Sequence, residues 1–126
     1  MMRSKYGNKK VETPDGVFDS RREYQRWCEL KYLETYGKIT GLKRQVKYIL
    51  IPSKYEDYER ISAKTGKKLK DGRRCIENEC SYVADFVYYT PEGELVVEDA
   101  KGVRTDAYII KRKLMLEIYG VRIKEV

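Results

Sequence analysis

Two strand-forming runs joined by four turn residues limit what this chain can become more than any other feature. Glu79 to Thr90 carries Tyr82, Val83, Phe86, Val87, Tyr88 and Tyr89; Leu95 to Lys101 follows, with Pro91-Glu92-Gly93-Glu94 between them. Aromatic and β-branched residues bounded by Pro and Gly read as the two antiparallel strands of a hairpin. Both runs hold an acid where the neighbours are apolar. Asp85 interrupts Tyr82-Val83-Ala84-Asp85-Phe86-Val87, and Val96-Val97-Glu98-Asp99-Ala100-Lys101 repeats the anomaly. A carboxylate in such surroundings costs stability unless it is paired or bound to a cation.

The rest of the chain supplies elements to pack around that hairpin. Residues 1–12 are expected to be a flexible basic arm with Arg3, Lys5, Lys9 and Lys10, and Thr13-Pro14-Asp15-Gly16 reads as a turn. A helix is predicted from about Arg21 to Tyr36, with Ser20 as N-cap and Gly37 as stop. Its apolar residues Tyr24, Trp27, Cys28, Leu30 and Leu33 lie close to helical spacing. Gln45 to Ile51 alternates and reads as a strand ended by Pro52. Residues 53–74 form a basic insertion between strands, with a hairpin tip or loop at 64–68. After Gly102 a second helix is predicted over Asp106 to Tyr119, capped by Thr105, ended by Gly120, with Ala107, Ile110, Leu114 and Ile118 as its apolar stripe. Val121 to Val126 completes the chain as a short strand. The order α-β-β-β-α-β predicts one α/β domain over residues 1–126, a mixed central sheet flanked by helices.

Composition narrows the chemistry. Lys and Arg number 27 against 20 Asp and Glu, a net charge of +7, which favours a polyanionic partner, above all nucleic acid. The 12 tyrosines can stack on bases or bond phosphates, or sit at the core edge with a wet hydroxyl. Histidine is absent. That excludes a Ser-His-Asp triad, a Cys-His dyad, an HNH-type nuclease and any His-ligated zinc. Cys28, Cys75 and Cys80 form no CxxC pair. Their odd number and the lack of a membrane-length apolar run predict a reduced, cytoplasmic protein with core-filling thiols, although Cys75 and Cys80 could meet across a hairpin. No P-loop or dinucleotide fingerprint calls for an organic cofactor.

Strand periodicity puts Asp99 and Lys101 on one face and Glu98 and Ala100 on the other. The hairpin makes Asp85 and Asp99 neighbours. Two ionised carboxylates repel each other, and a hard divalent cation, Mg²⁺ or Mn²⁺, resolves the repulsion. Such an ion would polarise a phosphodiester and acidify water. Lys101 beside it would orient the attacking water or hold a phosphate oxygen. An ordinary ion pair on a wet sheet face is the plain alternative. Glu23 also has two readings. Ser20-Arg21-Arg22-Glu23 is a capping box, yet Glu23 shares a helical face with Trp27 and Leu30, aimed at the sheet.

These residues resemble the PD-(D/E)XK nuclease superfamily, whose motif is an Asp at a bend in the second strand and Asp/Glu-x-Lys on the third. Here those are Asp85 and Asp99-Ala100-Lys101, with Ala84 where the motif name has Pro. The resemblance runs from Phe18 to Val126, and the overall pattern looks like small, phage-type members, among them Holliday-junction resolvases. It implies a restriction-endonuclease-like core. It also implies Mg²⁺ (or Mn²⁺) held by Glu23, Asp85, Asp99 and the Ala100 carbonyl, with Glu23, Asp85, Asp99 and Lys101 catalytic. The implied protein is an endonuclease that hydrolyses DNA, selects branched structures and acts in the cytoplasm of a bacterial host. Two symmetric cuts imply a homodimer. DNA would be met by Lys64, Lys67, Lys68, Arg73 and Arg74 of the insertion, by Arg104 and Thr105, and by Lys111 of the second helix. A non-catalytic DNA-binding protein, or a nuclease subunit of a larger complex, are the competing expectations.

Overall fold

The computed structural model describes residues 9–126; residues 1–8, with Arg3 and Lys5 of the expected arm, lie outside it. The arm ends sooner than expected. Val11–Thr13 (β1) pairs with Gly16–Phe18 (β2) across the Pro14-Asp15 turn, because Thr13 Oγ1 donates to the Gly16 carbonyl and closes the hairpin. Phe18 is fully buried, with its ring against Tyr24 and Trp27.

Helix α1 spans Arg21–Thr35, and Ser20 caps it by accepting from the Glu23 N–H at 3.1 Å. Next comes β3 (Thr40–Ile51), five residues longer at its start than alternation predicts, since a bulge between Thr40 and Lys43 hides the period. The basic insertion is a ribbon, Lys54–Tyr58 (β4) paired with Gly72–Glu77 (β5). It is tied by side chains: Arg73 stacks over Tyr55 at 4.0 Å and Arg74 over Tyr58 at 4.8 Å. The Tyr58 ring lies over Gly72 so closely that a Cβ there would meet its Cζ at 2.3 Å and force the ring to move. Then follow β6 (Cys80–Tyr89), β7 (Leu95–Asp99), helix α2 (Asp106–Tyr119) and β8 (Lys124–Glu125). The last strand is only two residues long.

The main sheet has the order β3-β6-β7-β8, antiparallel except for the parallel β7–β8 pair. The fold is therefore α/β with a mixed sheet and two helices. One core cluster joins α2 to the sheet through Tyr108, Met115, Tyr82, Ala84, Val87, Val97 and Leu50. The other joins α1 through Leu30, Ile39, Phe86 and Tyr88. Plain alternation would put residues 82, 84, 86 and 88 on one face. Instead Tyr82 and Ala84 face α2 while Phe86 and Tyr88 face α1. On β3, Leu42 packs with the α1 cluster and Val46 and Tyr48 with the α2 cluster. Both strands therefore exchange faces at the same level, between residues 44 and 46 and between 84 and 86.

Two expectations need correction. The buried line of α2 is Tyr108 and Met115, with Ile109 and Leu114 packed beside them; of the Ala107-Ile110-Leu114-Ile118 stripe only Leu114 reaches the core, and Ile110 is 58% and Ile118 46% exposed. Apolar residues surround this helix, so spacing alone does not select a face, and the contact of Tyr108 with Tyr82 does. The cysteines are not core thiols as a set. Cys28 and Cys75 are exposed, only Cys80 packs against the core, and all three are free.

Candidate active site

The exchange of faces leaves Asp85 at a break in pairing. The β6–β7 ladder reaches Phe86–Glu98 and stops, so the next pair, Asp85 and Asp99, does not bond through the backbone. The Asp85 side chain fills the gap, accepting the Ala100 N–H at 2.9 Å on Oδ2. Across the sheet, Gln45 has φ 55, the left-handed region, in the middle of β3. Its amide donates to Asp85 Oδ1 at 3.4 Å and to Glu23 Oε1 at 3.2 Å.

Three elements thus bring acids to one end of the sheet. Glu23 comes from the first turn of α1 and is 3% exposed. Its Oε2 accepts the Asp19 N–H at 3.2 Å, so one oxygen serves the helix start. Its Oε1 turns to Gln45, with the Arg44 guanidinium 3.8 Å away. The capping-box reading holds with a shift: Ser20 bonds the Glu23 N–H, but Glu23 returns to the N–H of Asp19, one residue before the cap. Asp99 is 2% exposed, and its Oδ2 accepts the Tyr82 hydroxyl at 2.6 Å and lies 3.3 Å from Lys101 Nζ. Lys101 Nζ also stands 4.4 Å from the Tyr108 ring centroid, which fixes the ammonium from a second side. Asp99 and Lys101 do share a face. Glu98 points the other way, fully buried, and accepts both Arg26 Nε and Nη2 at 2.8 Å and the Tyr88 hydroxyl. Arg26 holds its carboxyl below the usual range.

A cleft of about 220 Å³ opens over this corner, lined by Glu23, Asp85, Ala100 and Lys101 with Asp19, Ser20 and Thr105 at its edges. Asp99 lies behind it, reached through Lys101. The electrostatics are those of crowded acid. Burial, then Asp99 and Glu23, push Asp85 up to about 8 against the opposing Ala100 N–H. Burial raises Glu23 as well, partly offset by the Asp19 N–H and by Arg44. Burial and donation to Asp99 raise Tyr82.

Oxygen donors of this kind are chemically suited to a hard divalent cation. The donors are all oxygen, and Asp85 meets only the neutral Ala100 N–H and Gln45 amide against the acids that crowd it. Among the described residues no three acidic or cysteine side chains stand close enough to make a ready cage. Mg²⁺ needs none, since it keeps several waters and takes one or two carboxylates. Asp85 and Glu23 both line the cleft and could meet that demand with the lone pairs their hydrogen bonds leave over; Asp99 is not among the lining residues.

The expected DNA contacts spread over two regions. Thr105 caps α2, accepting the Tyr108 N–H at 3.1 Å, and Arg104 pairs with Glu125 at 2.6 Å. Lys111 is half-buried on α2. Lys64, Lys67 and Lys68 sit at the exposed tip of the β4–β5 ribbon, where Lys68 lies 3.7 Å from Glu59; Arg73 and Arg74 lie on β5 itself, Arg74 pairing with Glu56 at 2.6 Å. Sequence reasoning missed Gln45, Tyr82, Arg44 and Arg26. Of these only Arg26 had a signal, a cation three residues past Glu23 and one turn before Leu30 on the inward side of α1.

No helix among the described residues is long and apolar enough to cross a membrane. No curated protein and no solved structure matches the chain. Residues 3–124 match a family described as "Protein of unknown function (DUF1064)". The match covers nearly the whole sequence, and the chain belongs to the DUF1064 family.

Proposed function

We propose that this protein is a Mg²⁺- or Mn²⁺-dependent endodeoxyribonuclease of PD-(D/E)XK type, with a restriction-endonuclease-like core, acting on branched DNA as a homodimer. One observation carries the reading: Glu23, Asp85 and Lys101 line a single cleft, with Asp99 directly behind the lysine. A divalent cation held there would supply the charge that polarises a phosphodiester and favours ionised water. The chain's own residues do the rest. Asp85 and Glu23 line the cleft with their carboxylates, and the Ala100 N–H fixes the Asp85 rotamer. Asp99, itself fixed by the Tyr82 hydroxyl, and the Tyr108 ring hold Lys101, whose ammonium orients water or neutralises a phosphate oxygen. Thr105 and the N-terminus of α2 border the same cleft, where backbone N–H groups favour a phosphate. The net charge of +7 supplies binding without sequence readout.

The test is a titration of four-way junction, nicked, flap and linear DNA with Mn²⁺ and with EDTA. Symmetric cuts in the junction, lost in a folded Asp99→Ala variant, are expected. Cleavage of linear or nicked duplex alone removes the junction preference and keeps the nuclease. The missing three-acid cage favours one second reading, a DNA-binding protein without catalysis. Tight junction binding with no Mn²⁺ binding by calorimetry would establish that reading instead.

A further inference from the structure

We propose that Gln45 is a positioning residue, holding Glu23 and Asp85 at a fixed spacing through one side-chain amide shared between an oxygen of each. The inference rests on the metal-dependent reading of the cleft and adds a residue to it. Consecutive strand residues point to opposite faces. Arg44 and Gln45 break that rule: Arg44 Nη2 lies 3.8 Å and Gln45 Nε2 3.2 Å from the same atom, Glu23 Oε1. What permits it is the backbone of Gln45, with φ 55 where a strand requires a negative value. A side chain other than glycine adopts that conformation at a cost. Gln45 is the single non-glycine residue with positive φ among those described, and it lies opposite Asp85, between the Arg44–Phe86 and Val46–Ala84 pairs.

The chemistry of the side chain suits the task. Its NH₂ carries two donors, one for each carboxylate, and no charge. A lysine there would compete with a cation, and a third carboxylate would add repulsion. Held this way, each acid keeps its remaining capacity for the cleft, with Glu23 Oε2 on the Asp19 N–H and Asp85 Oδ2 on the Ala100 N–H.

Gln45→Gly separates the amide from the backbone, because glycine accepts positive φ freely. Three measurements on the full chain decide the matter: Mn²⁺ affinity by calorimetry, the thermal midpoint in EDTA, and four-way-junction affinity in EDTA. The expected result is Mn²⁺ affinity about tenfold or more weaker, as for loss of residues that orient ligands, with the midpoint unchanged or higher and junction affinity unchanged. Equal Mn²⁺ affinity in variant and wild type would overturn the role of Gln45 while leaving the nuclease standing. A fall in all three quantities would make Gln45 a folding residue and overturn it too. If wild-type protein binds no Mn²⁺, this inference falls together with the metal-dependent reading.

Discussion

At the scale of single residues the site is held together by unequal partners. Asp85 is crowded by acids, and its metal-free carboxyl keeps a proton in the folded chain up to about pH 8. The unfolded chain releases that proton near pH 4. Folding therefore takes up a proton between those limits, and the contribution of Asp85 to stability is lost as pH rises through them. In EDTA at pH 8, Asp85→Asn should melt higher than wild type, by roughly 1–3 kcal/mol, and the advantage should shrink toward pH 5. A gap that is the same at both pH values would contradict the crowding. Lys101→Ala should leave Mn²⁺ affinity intact and slow cleavage by about 100-fold or more, measured in single turnover with saturating metal. The acids and the lysine were legible because charge inside an apolar strand is conspicuous. Gln45 was not, since a glutamine in an alternating strand looks ordinary and its left-handed backbone arises only from the packing of β3 against β6.

At the scale of elements, caps and turns were the readable signals. Ser20 and Thr105 each bond the N–H three residues on, and Gly120 ends α2 in the left-handed conformation. What could not be read was which side of α2 faces inward, because Ile109, Ile110, Leu114, Met115, Leu116 and Ile118 offer apolar surface in every direction. The β4–β5 ribbon behaves as a separate unit. Residues 60–70 carry five cations and no acid. Replacing Lys64, Lys67 and Lys68 with Ala should weaken junction binding and flatten its log–log salt dependence by roughly 3, at about 0.9 per phosphate contact. The thermal midpoint should not move, since these side chains are exposed. An unchanged salt slope would take the ribbon out of the DNA interface.

At the scale of the whole molecule, two helices are fastened to opposite sides of one sheet by different means. α2 relies on apolar packing through Tyr108 and Met115. α1 adds a charged tie, Arg26 to the buried Glu98 on β7, with Tyr88 donating to the same carboxylate. Arg26→Ala would strand that carboxylate without its cation and should cost about 3–5 kcal/mol, read as a lowered midpoint in denaturant. A loss below 1 kcal/mol would mean that Tyr88 and Lys124, whose Nζ lies 4.0 Å from Glu98 Oε2, suffice.

The crossover of β3 and β6 carries a last consequence. Upstream and downstream of residue 45 the odd and even positions swap their allegiance, so each strand is two half-strands spliced out of phase. A one-residue deletion just before Gln45, which leaves the splice in place, would turn half a strand inside out, sending Val46, Tyr48 and Leu50 to water. Insertions and deletions there should be far less tolerated than in the Pro91–Glu94 turn, because the acid-bearing corner and both halves of the interior depend on the same phase.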